Sequence, residues 1–154
     1  MPSTRLPGRR LNLGILAVTC LVTILYWVIW FFGNRSWLAT TNTSEYLTFE
    51  NAFPLADGWM ALTAGLGFVA LWKGKPTALL WVLLCGSASL YLAGMDILFD
   101  LENGIYSLKG GDVGGVVAEV VINLFSLVCG GVMIRFAWTR RHALLAGEPP
   151  TVST

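Results

Sequence analysis

The strongest constraint on this chain is a run of 24 residues, Leu11 to Asn34, that carries no charged side chain and is bracketed by Arg10 and Arg35. Wound as an α-helix at about 1.5 Å per residue, the run is about 36 Å long, more than the ~30 Å hydrocarbon thickness of a bilayer. A secretory signal would share the basic start, here Arg5, Arg9 and Arg10. Its apolar core would be shorter, however, and would end in a small-residue cleavage site. This run ends instead in Tyr26, Trp27, Trp30, Phe31 and Phe32, rings suited to an interfacial belt. We therefore expect a retained membrane helix.

Three further blocks follow. Pro76 to Met95 gives 20 uncharged residues, enough to span, whereas the stretches between Asp57 and Lys73 and between Glu119 and Arg135 give only 15 each. At about 23 Å neither of the short ones crosses alone. Each helix must therefore extend past its acid, beginning near Pro54 and near Val113, which brings Asp57 and Glu119 to the lipid boundary or below it. The sequence predicts an all-α, four-transmembrane-helix bundle with helices over about 11–33, 54–73, 76–98 and 113–138. These form one domain, 1–141, followed by a flexible cytoplasmic tail, 142–154, in which His142 is a solvated residue. With 12% charged and 55% hydrophobic side chains, the chain falls outside the soluble class, where charge runs at about 25%.

Direction follows from the bases. Arg5, Arg9, Arg10, Lys73, Lys75, Arg135, Arg140 and Arg141 share one side if the chain crosses four times, and Arg35 and Lys109 take the other. The positive-inside rule then puts both termini in the cytoplasm of a multi-pass cell-membrane protein. Lys73-Gly74-Lys75-Pro76 fits a tight cytoplasmic turn. Outside, the acids and rings of Glu45, Tyr46, Phe49, Glu50 and Phe53 suggest a short helix in the interface plane or an ordered loop. Asn103-Gly104 and Gly110-Gly111 mark turns in the second outer connection.

Several function classes drop out. A net charge of +1 offers no basic excess for a nucleic-acid backbone, so no nucleic-acid partner is expected. Cys20, Cys85 and Cys129 lie in separate apolar blocks without a C-x-x-C pair, so we read them as small buried apolar residues and not as a redox centre. No nucleophile and base stand at a workable spacing, and no inverted repeat is visible. We assign no catalytic residue and no cofactor, and leave a metal open.

The acids are distributed opposite to the bases: Glu45, Glu50, Asp57, Asp96, Asp100, Glu102, Asp112 and Glu119 are outer, and only Glu148 is inner. Two outer bases cannot pair eight carboxylates, so any that are buried must be protonated, hydrogen-bonded or matched by a cation. Asp57 and Glu119 each lie 16 residues from a cytoplasmic base, Lys73 and Arg135, and so should be level, while Asp96 lies at the outer rim. Helical spacing lines up Glu119, Asn123, Ser126 and Gly130 on one span and Gly86, Ser89, Ala93, Asp96 and Asp100 on another. Ala61, Ala64 and Gly65, and Thr19, Thr23, Tyr26 and Trp30, form matching stripes on the other two. Small and polar residues in membrane helices turn inward. The expected bundle has a tightly packed lower half and an acid-lined cup facing outward, with Asn123 as the partner of Glu119. Candidate ligand-binding residues are Glu50, Asp57, Asp96, Glu119 and Asn123. Alternatives remain for three acids: Asp57 can serve its own helix dipole, and Asp96 and Asp100 can be interfacial helix ends, with Asp100 facing water.

The segments Phe49-Glu50-Asn51-Ala52-Phe53-Pro54-Leu55-Ala56-Asp57 and Met95-Asp96-Ile97-Leu98-Phe99-Asp100-Leu101-Glu102-Asn103-Gly104-Ile105-Tyr106 resemble parts of small, uncharacterised four-helix prokaryotic membrane proteins. The resemblance implies the same fold and an outer motif pair at Asp57 and Asp96, and carries no activity. A looser likeness is to the four-helix topology of the sterol isomerase and sigma-2-receptor family, whose buried acids bind amines, although the isomerase's histidine-bearing motif is absent. The expected function is an accessory subunit or small binding protein whose cup takes a cation, proton or amine-bearing ligand. Its partners would be the lipid bilayer and a membrane protein subunit. The other reading is a membrane enzyme or transporter for a lipid-soluble substrate, with Glu119 and Asp96 carrying protons.

Overall fold

A computed structural model of the chain describes residues 6–39, 41, 43–107 and 113–147. Arg5, Lys109, Gly110-Gly111, Asp112 and the tail from Glu148 onward lie outside the described residues. Within them all regular structure is helical: α1 (Arg9–Phe32), a 3₁₀ turn (Arg35–Trp37), α2 (Ser44–Glu50), α3 (Pro54–Trp72), α4 (Ala78–Glu102), α5 (Val113–Thr139) and α6 (Arg141–Ala146). Four helical stretches, those of α1, α2 with α3, α4 and α5, are long and apolar enough to cross a membrane.

Local chemistry explains the boundaries. Pro54 opens α3, where its missing N–H costs nothing. Thr43 caps α2 by accepting from the Tyr46 N–H at 3.3 Å. Gly74 and Gly104 adopt left-handed φ of 61° and 67°, and in each case the next N–H reaches back into the helix, Lys75 to the Ala70 carbonyl at 2.8 Å and Ile105 to the Asp100 carbonyl at 2.9 Å. These are Schellman closures, which use carbonyls that would otherwise be orphaned at the helix ends. The first makes the tight Lys-Gly-Lys-Pro turn. The second ends α4 at Glu102, one turn beyond the expected limit, and carries Asp100 into the helix.

The helices pack in a row, α1 on α3, α3 on α4 and α4 on α5, while α1 and α5 meet only briefly. The core lies toward the end that carries Arg9, Lys73 and Arg135, where Leu16, Leu71, Val82 and Met133 are fully enclosed. Small residues let α4 and α5 come close: a Cβ on Gly86 would lie 3.0 Å from the Gly130 carbonyl oxygen, and one on Gly130 would lie 2.9 Å from that of Gly86. The expected tail from residue 142 is not unstructured throughout. Residues 141–146 form α6, which packs against α4 and α5 and buries Leu144, while His142 is exposed. The physical reason is Leu144 itself, an apolar anchor one turn after the helix break at Arg140.

Candidate functional site

Between the helices, toward the acidic end, lies a cavity of about 380 Å³, within the ~300–1,000 Å³ range of small-molecule sites. Every long helix contributes to its wall, and α2 adds Glu50. Four carboxyl side chains line it, Glu50, Asp57, Asp96 and Glu119, and none of its described lining residues is basic. Below the acids the walls turn apolar with Val18, Val22, Leu92, Ile122 and Phe125.

The inward stripes of α4 and α5 bring acids together from sequence-distant positions. Carboxylate oxygens of Asp96, Asp100 and Glu119 lie within 4.8 Å of one another, a spacing that would let one cation be shared among them. Asn123 sits beside them and donates from Nδ2 to Asp100 Oδ2 at 3.3 Å and to the Tyr106 hydroxyl oxygen at 2.9 Å. Asn123 was expected to serve Glu119, and its donors point elsewhere. The side chain one turn above Asn123 is on the same helix, but Asp100 and Tyr106 approach from α4 and the turn after it. Glu119 Oε1 instead accepts from the Tyr46 hydroxyl of α2 at 3.3 Å.

Asp100, expected to be able to face water, is only 1% exposed. It shares a stripe with Asp96, and both Tyr106 and Asn123 hydrogen-bond it, which supplies the partners that water would otherwise provide. Burial and the Asp100 carboxylate raise the pKa of Tyr106 above its ordinary value, so its phenol stays protonated and available as a donor.

Asp57 accepts from Trp27 Nε1 at 2.9 Å, Glu50 Oε2 accepts from the Tyr26 hydroxyl at 3.0 Å, and Asn51 Oδ1 accepts from Trp30 Nε1 at 3.1 Å. Three of the rings expected to form an interfacial belt on α1 therefore turn inward and donate to acids and an amide of α2 and α3. Phe31 and Phe32 remain exposed. The reason is spacing: Tyr26 and Trp30 continue the stripe of Thr19 and Thr23, and a polar ring atom that is buried takes an acceptor. With its first-turn position in α3, Asp57 thus has a cross-helix partner in addition to its own helix dipole.

α2 lies over the acidic end. Tyr46 and Glu50 are buried, and Phe49 stacks on Phe99 of α4 with centroids 3.7 Å apart and planes at 6°. The five candidates Glu50, Asp57, Asp96, Glu119 and Asn123 all line the same cavity. Asp100, Tyr46, Tyr106 and the α1 donors belong to the same network. Sequence carried a signal for Asp100 in its stripe and for Tyr26 and Trp30 in theirs, but none for Tyr46 or Tyr106. No protein-family model, no curated protein and no solved structure matches this chain.

Proposed function

We propose that this chain is an integral protein of the cell membrane, crossing four times with both termini cytoplasmic, and that it serves as an accessory subunit or small binding protein. Its acid cup, at the outer end of the bundle and roofed by α2, receives a cation or an amine-bearing ligand. The observation that carries this reading is the set of four carboxyl groups on one cavity whose described lining includes no base. In a water-poor site such groups need protons, hydrogen bonds or a bound cation. Binding is favoured over chemistry because the lining hydroxyls, those of Thr19, Thr23, Tyr26, Ser89 and Ser126, have no histidine near them: the chain's one histidine, His142, stands at the opposite end.

The test is ligand binding by the full chain in phosphatidylcholine nanodiscs, with Ca²⁺, ethylammonium and dodecylammonium as probes. At least one probe should bind, and Glu119→Gln should weaken it by about tenfold or more, the ~1.4 kcal/mol expected from loss of one good charge contact. Glu45→Gln, on the exposed face of α2, should leave binding unchanged. Absence of binding by all three probes, or equal effects of the two substitutions, overturns the cup.

A further inference from the structure

α1 and α5 stand at the two ends of the helix row. They approach near the basic end, where Phe136 lies so close to Gly8 that a Cβ there would be 3.2 Å from the ring. Higher up both helices line the cavity, and their lining side chains are open to the outside: Val18, Val22, Val121, Ile122 and Phe125 are between 43% and 59% exposed. The lining residues of α4 are different: Ser89, Leu92 and Ala93 are buried and Asp96 is half-buried. The open side of the cavity is therefore the gap between α1 and α5, and the most exposed residues of its rim are apolar.

The aqueous end is closed by comparison. Tyr46 is tied to Glu119, Glu50 to Tyr26, and Phe49 to Phe99, so α2 is fastened to α5, α1 and α4 above the acids. A ligand that came from water would have to displace this roof, while one dissolved in hydrocarbon meets a gap between α1 and α5 that no such roof covers among the described residues. From Tyr26 beside Glu50 down to Val18 is eight residues of α1, about 12 Å along the helix. The site is thus polar and acidic at one end and greasy over the length of a short chain.

We infer that the ligand is a single-chain lipophilic amine that enters sideways from the bilayer between α1 and α5, placing its ammonium group among Glu50, Asp57, Asp96 and Glu119 and its chain along Val18, Val22 and Phe125. This rests on the reading of the cup given above and names its ligand class and route. Acids at one end complement the cation, and the apolar rim complements the chain.

The experiment uses labelled dodecylammonium bound to the full chain in phosphatidylcholine nanodiscs. Unlabelled dodecylammonium should displace it, whereas ethylammonium, which has the charge without the chain, and dodecanol, which has the chain without the charge, should compete at least about tenfold less well. The double substitution Val22→Trp/Val121→Trp narrows the entrance at two exposed positions and should slow association by about tenfold, with helix content and elution unchanged. Ethylammonium competing as well as dodecylammonium overturns the lipophilic ligand and leaves the cup standing, as does Ca²⁺ binding without amine binding. Unchanged association in the narrowed variant overturns the lateral route. Failure of all cations to bind removes the cup and this inference together. The competition series is read on the unmodified chain, so misfolding of a variant cannot rescue the proposal.

Discussion

Asn123 holds the most exacting position in the acid network, because it donates to both Asp100 and Tyr106 while being 3% exposed. Asn123→Leu leaves a buried carboxylate short of a donor, which should lower stability by about 1–3 kcal/mol. Replacing both Asp100 and Asn123 removes the buried carboxylate as well as its donor and leaves only the hydroxyl of Tyr106, which is half-buried and can turn to water, so Asp100→Leu/Asn123→Leu should be less destabilised than the sum of the single variants. Unfolding midpoints of the four proteins in detergent check both statements. Trp27→Phe keeps the ring but removes the donor to Asp57 and should cost about 1 kcal/mol. A larger loss for Phe31→Leu than for Trp27→Phe would contradict the inward role of Trp27, since Phe31 is half exposed.

At the scale of elements, the contact of α4 with α5 depends on the two glycines that face each other. Gly86→Ala would set a methyl group 2.9 Å from an Ile134 side-chain carbon and 3.0 Å from the Gly130 carbonyl oxygen, and overpacking of this kind costs about 1–3 kcal/mol. Gly94 is on the same helix with nothing within 4 Å of its missing Cβ, so Gly94→Ala should be neutral or stabilising by up to about 1 kcal/mol. Thermal unfolding of the pair tests whether close approach, and not helix propensity, sets the sign. The inward stripes from Gly86 to Asp96 and from Glu119 to Gly130 were legible because a helix places every third or fourth residue on one face. The donors were not. An aromatic ring near a helix end has the same residue type whether it meets an interface or a buried acid, and Tyr46 reaches Glu119 across 73 residues of sequence. Only packing brings such groups together. Likewise α6 was hidden, since a helix of six residues with one buried leucine is too short to show a period.

For the whole molecule, the separation of bases from acids is the feature that predicts orientation. Reporter fusions at the two termini should be read from the cytoplasmic side, and a reporter inserted after Asn103 from the opposite side. Termini on different sides would mean an odd number of crossings and would break the four-span arrangement. The four charge-poor runs made the number and rough limits of the long helices readable, because their lengths follow directly from the residues between charges. The order of the row was not readable, since nothing in one helix specifies which neighbour it will touch.

That row has a consequence for biosynthesis. Each long helix packs on the long helix before it in the chain, but the acid-lined cavity is complete only with α5, which contributes Glu119, Val121, Ile122 and Phe125 to its wall. A chain halted before Val113 would hold α1 on α3 and α3 on α4, with Asp57 tied to Trp27 but Asp96 and Asp100 without the α5 wall that carries Glu119 and Asn123. The acids of α4 are thus made before the helix that shelters them, so a chain stopped in between would carry unshielded polar groups, a natural target for quality control.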